Sequence, residues 1–131
     1  MKKVIVGLLT IGALSLTLNA YDKVERKQDM QMMEAAMVQI QKGILSNNDK
    51  MAIQGASFLK SIANKIEVPQ HKAEMDYKPK YAKKITKDIM KHIDEIEDEI
   101  EDGKLHSAAT SYTKILNKCI SCHAKIRAWN Y

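Results

Sequence analysis

The chain has 131 residues, 45% of them hydrophobic and 28% charged, enough for one ordinary globular domain and too few for two. Aromatics are scarce, five Tyr, one Trp and one Phe against eight Met, a composition that favours helices and a core short of large side chains. The formal charge of +5 includes Lys2 and Lys3 of a segment expected to be removed, and the remaining balance is too weak to suggest nucleic acid.

Lys2-Lys3, the apolar run from Val4 to Leu18 and the closing Asn19-Ala20 read as a secretory signal, residues 1–20, with cleavage expected after Ala20. An uncleaved N-terminal anchor is the alternative, because the apolar run is only a little short of a bilayer span. No lipobox cysteine precedes the mature sequence, and no later segment is apolar enough to cross a membrane. Residues 21–131 are therefore expected as one exported periplasmic domain, without stable membrane insertion once the signal is cut, in an oxidising space.

Four amphipathic stretches follow. From Asp22 to Ser46, apolar residues recur at Met30, Met33, Met37, Ile40 and Ile44, steps of three and four that make one helical stripe, with Met32 to its side. Ser46-Asn47-Asn48-Asp49 ends that helix and offers N-caps for the next. The second stretch groups Met51, Gly55, Phe58, Leu59, Ile62 and Ile66 on one face, and Pro69 halts it. Residues 67–80 carry both prolines without periodicity and form the one long connection, with Pro79 where a helix can begin.

The third helix presents Tyr81, Ile85, Ile89, Ile93, Ile96 and Ile100, and Gly103 is a natural stop. Its last turns hold seven carboxylates from Asp94 to Asp102. They oppose the helix macrodipole, so something else must hold that end in place. The fourth stretch, Lys104 to about Trp129, shows Leu105, Ala108, Tyr112, Ile115, Cys119, Cys122, His123 and Ile126 on one face. Four such helices with short first and last connections predict an all-α, antiparallel four-helix bundle.

The chemistry lies in Cys119-Ile120-Ser121-Cys122-His123. Two cysteines separated by two residues and followed at once by histidine form the attachment signature of a c-type haem, in which the thiols add to two vinyl groups and the imidazole ligates iron. On a helix all three project from one side, so a porphyrin edge can be fixed while the imidazole reaches its centre. Haem also answers the shortage of aromatics by supplying a large flat apolar filler.

Other readings of the pair compete, the least expected being free structural thiols in a core, which oxidation would threaten outside the cytosol. A Cys119–Cys122 disulfide would make the chain a non-haem helical interaction protein, but redox pairs work at helix N-termini, where the dipole lowers the thiol pKa, and this pair lies late in a helix. Zinc would need a fourth ligand, and His71, His92 and His106 are scattered. His92 and His106 read as exposed or capping residues, and Tyr112 and Trp129 as packing beside the haem.

A haem motif near the C-terminus of an exported chain of four helices resembles the class II cytochromes c, the cytochrome c′ group and its low-spin relatives, over essentially the whole mature chain. After His123 the sequence runs Ala124-Lys125-Ile126-Arg127. The arginine matches that family's pattern, and Ile126 replaces its usual aromatic. The resemblance implies that the first helix covers the distal side, with an arginine able to reach a haem propionate and, four residues later, the residue over the iron. Arg26 and Met30 fit that spacing.

Met30 therefore looks like the sixth ligand, with Met33 and then Met37 as the next candidates and core packing as the plain alternative. Met75 and His71 are outside candidates from the long connection. The place of Arg26 on the apolar stripe argues independently for a buried anionic partner.

The implied function is one-electron transfer by a mono-haem cytochrome with one covalent haem c, ligated by His123 and Met30, between a donor and an acceptor redox protein. No enzymatic activity is expected. The rival is a five-coordinate cytochrome c′ that binds or senses nitric oxide or carbon monoxide, with Met30 only packing. A basic stretch from Lys72 to Lys91, or Lys114, Lys118 and Lys125 on the outer side of the last helix, would steer an oppositely charged partner. Bundles of this kind often pair through their first two helices, and Gly55 would suit such contact, so a homodimer is among the expected assemblies.

Overall fold

A computed structural model of the chain describes residues 23–66 and 79–125. They form four helices, α1 (Lys23–Leu45), α2 (Asp49–Ala63), α3 (Pro79–Glu101) and α4 (Leu105–His123), with no strand among the described residues. The segment expected to be a signal, the connection with His71 and Met75, and residues 126–131 with Ile126, Arg127 and Trp129 lie outside them.

The two short turns obey the same local chemistry. α1 closes with the Asn47 amide on the Ile44 carbonyl and the Asn48 amide on that of Gly43, Asn47 taking a φ of 52°. α3 closes likewise, Gly103 onto Ile100 and Lys104 onto Glu99, with Gly103 at a φ of 72°. Both are paired left-handed closures that satisfy carbonyls a helix end would otherwise leave bare. The Asn48 side chain then accepts the Met51 amide at 3.0 Å and caps α2.

Cross-helix contacts fix the topology. A Cβ placed on Gly55 would come within 2.9 Å of the Ile40 side chain and 3.1 Å of the Ala36 carbonyl; one on Gly43 would fall on the backbone of Ala52. Ser57 and Lys60 meet Glu97 and Asp94, while Asp88 and Glu95 of α3 meet Lys118 and Lys114 of α4. In every case one chain position rises as its partner's falls. Neighbouring helices are therefore antiparallel, and the molecule is an up-down four-helix bundle.

The core is built of small and branched residues. Ile40, Leu59, Ile62, Ile93, Ile96, Ile100 and Ile115 are almost completely buried, together with Ala36, Ala52 and Ala56. On α2 the buried face is Ala52, Gly55, Ala56, Leu59, Ile62 and Ala63, rotated from the expected one. Phe58 is 40% exposed and Met51 half-buried. The cause is the close α1–α2 approach, which admits only small residues at the crossing. It also takes up Gly55 inside the chain, so that glycine is not a surface for a second copy.

The acidic end of α3 is held by its neighbours. Lys60 of α2 reaches Asp94 at 2.6 Å and Glu97 at 3.3 Å, and the Ser57 hydroxyl donates to Glu97 at 2.8 Å. Glu95 accepts from His92 at 2.8 Å and from Ser111, fully buried on α4, at 3.3 Å, with the Lys114 ammonium 3.5 Å away. His92 is thus a half-buried partner of Glu95, neither an exposed nor a capping residue. Lys118 pairs with Asp88 at 2.7 Å, and the Lys125 ammonium lies 4.4 Å from the centre of the Tyr81 ring. The α4 lysines expected to face outward are therefore turned toward α3.

Two expectations follow. Gly43→Ala forces its methyl to within 2.7 Å of the Ala52 Cα and should cost about 1–3 kcal/mol of stability in a denaturant titration, as overpacking does. Its effect should far exceed that of an exposed Ser46→Ala change.

The second concerns acid. The His92 ring beside Glu95 holds that carboxyl below its ordinary range, as Lys118 does for Asp88. A carboxyl held low in the folded state contributes fully above its unfolded value near pH 4 and loses that contribution as pH falls through the folded one. Thermal midpoints should drop between about pH 5 and pH 3, and Glu95→Gln should flatten part of that slope. An unchanged slope would remove Glu95 from the account.

Candidate haem site between α1 and α4

α1 and α4 pack least closely of the four neighbouring helix pairs, and a cavity of about 360 Å³ lies between them. Met30, Met33, Met37 and Glu34 line it from α1; Leu116, Cys119, Ile120 and His123 line it from α4. Its volume falls in the range of cofactor pockets, about 300–1,000 Å³. Leu116 and Ile120 are 43% and 57% exposed. Two large apolar side chains left that open beside an apolar hollow suit a large apolar occupant better than water.

The helices deliver these groups in register. Because α1 and α4 run in opposite directions, the His123 end of the α4 wall lies level with the Met30 end of the α1 wall, and Leu116 with Met37. Each wall spans two turns, about 10 Å. Met30, Met33 and Met37 are each less than 10% exposed, so three neutral sulfurs at one-turn intervals face the α4 wall. Of the three, Met30 stands level with the imidazole.

The motif occupies the last turn of α4. The expected helix ran on to about Trp129, whereas the observed one ends at His123, where the Ala124 amide bonds to Ile120 and the Lys125 amide to Cys122 in a tightened turn. Cys119 and His123, one turn apart, both line the cavity. Cys122 is 5% exposed and belongs to the core cluster instead. Three residues after Cys119 is slightly less than a full turn, which rotates Cys122 off the cavity wall toward the bundle interior.

Both cysteines are free thiols. Burial pushes the Cys119 thiol up to about 11 and the Cys122 thiol up to about 12. Thiols so shifted stay protonated at neutral pH, unlike the low-pKa thiolates of dithiol redox centres at helix N-termini. Burial also lowers the pKa of His123, which keeps its imidazole neutral. A neutral ring is the form that ligates a metal. Among the described residues no group of three or more His, Cys, Asp or Glu is placed to hold a metal ion.

Arg26 is 6% exposed, one turn before Met30, as its place on the stripe predicts. It is not part of the cavity wall. Tyr112 packs against the core cluster, and burial raises its hydroxyl pKa. Three wall residues went unnoticed in the sequence: Glu34, Leu116 and Ile120. Leu116 and Ile120, four apart, form a second apolar line beside the main α4 stripe, a signal that a wider reading of that face would catch.

Cys119, His123 and the thioethers are of the kinds that hold a covalently attached haem, whereas Cys122, the second thiol, faces the core and not the cavity. The pair of thiols, the neutral imidazole and the apolar thioether wall are the donor types that group requires. No described helix is long and apolar enough to cross a membrane. The chain matches no protein-family model, no curated protein and no solved structure.

Buried, protonated thiols should be slow nucleophiles. In the reduced, haem-free chain at pH 8, alkylation of both cysteines should run at least tenfold slower than that of an unstructured cysteine peptide and accelerate steeply above about pH 10. Cys119, the more accessible, should react first, and peptide-level mass spectrometry reads the order.

Proposed function

We propose that the protein is an exported mono-haem c-type cytochrome that passes single electrons between redox proteins, with haem c attached at Cys119 and Cys122, His123 as the proximal ligand and Met30 as the distal one. The observation that carries this reading is the convergence on one apolar cavity of Cys119 and His123 from the last helix and Met30 from the first. Further support comes from the spacing of the motif and from its place at the end of a four-helix bundle, the arrangement in which the chain resembles the class II cytochromes c.

When bound, haem supplies a one-electron couple at its iron. The chain's residues do the rest. Each thiol would add across one vinyl group, its sulfur to one carbon and its proton to the other, with no change in oxidation state. His123, neutral, offers a nitrogen lone pair. Met30 offers a soft uncharged sulfur, and Met33 and Met37 beside it help to exclude water. Arg26, one turn before Met30 and outside the cavity wall, is the cation that the resemblance assigns to a propionate. Two protein ligands leave no open position for a substrate, a role that asks for no catalytic acid, base or nucleophile. Residues 1–20 would deliver the chain to the periplasm.

Chain matured in a host that attaches haem should stain for haem on a denaturing gel, and Cys119→Ala/Cys122→Ala should not. Its spectrum should be low-spin, with a Met–iron charge-transfer band that resists carbon monoxide. Met30→Ala should turn it high-spin and open to the gas, while Met33→Ala and Met37→Ala leave it low-spin. A high-spin wild type that binds gas readily would favour a five-coordinate sensor, and colourless material with the bare polypeptide's mass would remove haem from the reading.

A further inference from the structure

Every exposed side chain described on α3 is charged, and the sign changes only once. Lys80, Lys84 and Lys87, with Lys83 to one side of their line, occupy the first half, and Asp94, Asp98 and Glu101 the second, with Lys91 at the middle. Their spacing alternates four and three, the 3.5-residue period that keeps one line of side chains facing a partner helix. α3 has no acidic residue in its first turn and no basic residue in its last, so both ends carry the charge that the helix's own dipole disfavours.

The bundle does not use most of this line. The ion pairs described within the chain engage Asp88, Asp94, Glu95 and Glu97 of α3, and Lys91 reaches Glu95 at 3.7 Å. None of them involves Lys80, Lys87, Asp98 or Glu101. A solvated face needs charge but no segregation by sign, and still less an arrangement unfavourable at both ends.

We infer that the outer face of α3 is a self-complementary surface on which a second copy of this chain docks antiparallel. About a two-fold axis between residues 90 and 91, Lys80 comes opposite Glu101, Lys87 opposite Asp94 and Lys84 within one residue of Asp98, with the two Lys91 side chains meeting at the axis, and the symmetry makes each pair twice. The partner's acidic half then lies beside each basic N-terminus, and its basic half beside each acidic C-terminus. Parallel docking would set like charges against each other. The lysine stems supply the apolar contact. Because exposed pairs are individually weak and screened, the association is a low-salt one. It is independent of the haem reading.

Sedimentation velocity of the mature protein tests it at roughly 20 mM and 500 mM salt, where screening lengths differ severalfold. The expected result is a dimer whose dissociation constant rises at least tenfold at the higher salt. Lys80→Glu/Lys84→Glu and Asp98→Lys/Glu101→Lys should each be monomeric alone and should form a one-to-one dimer when mixed, with circular dichroism showing native helix content in both. Milder Lys84→Gln and Asp98→Asn changes should each weaken the wild-type dimer. A wild type monomeric at low salt, a dimer untouched by the reversals, or a mixture that stays monomeric would overturn the inference.

Discussion

The close crossing of α1 and α2 is the constraint on which the rest of the structure turns. Gly43 and Gly55 let the two backbones approach with no room for a methyl group, and that contact fixes the rotation of α1 about its own axis. With α1 so set, Ala36 and Ile40 are spent on the interior, and the methionine line, a fraction of a turn away, is left for the seam with α4. A looser crossing would free α1 to roll, and the three sulfurs would lose their common facing.

The other side of the bundle is held by different chemistry. α3 meets α4 through polar groups, with Glu95, Ser111 and Asp88 at the contacts, as well as through the isoleucine core. These exposed and half-exposed pairs are individually small in energy, but they are directional and fix how far α4 slides along α3. The end of α4, which carries the motif, is set by the Tyr81 hydroxyl donating to the Ser121 carbonyl at 3.3 Å. One face of the bundle is thus defined by backbone proximity and the opposite one by charge, and the apolar hollow lies where neither operates.

How far this was legible depends on the residue. The α1 stripe announced itself because methionine and isoleucine at steps of three and four have no other economical place, and Asn48 and Gly103 stopped or started helices by local chemistry alone. The face of α2 was misread because alanine and glycine carry little hydropathic signal. A phenylalanine drew the stripe toward itself, whereas the glycine crossing, a tertiary event, chose the small residues. The partners of the acidic run were hidden for the same reason: Lys60 and Ser111 are unremarkable until two other helices bring Glu97 and Glu95 to them. At the site, spacing put Cys119 and His123 on one wall, but it did not show Cys122 turning to the core, and the end of α4 turns on a single tightened hydrogen-bonded turn that periodicity does not encode.

The ordering of charge along α3 gives the molecule a lengthwise electrical polarity. Its lysine half shares an end with His123 and the cavity, and its carboxylate half shares the far end with the two short turns. In the field of an extended anionic surface, a single copy experiences a torque before it makes contact, and the torque points the hollow end forward; antiparallel pairing through α3 cancels it. A lone copy that turns over in solution many times per encounter would thereby spend more of each approach presenting its cavity end, with no contact residue involved.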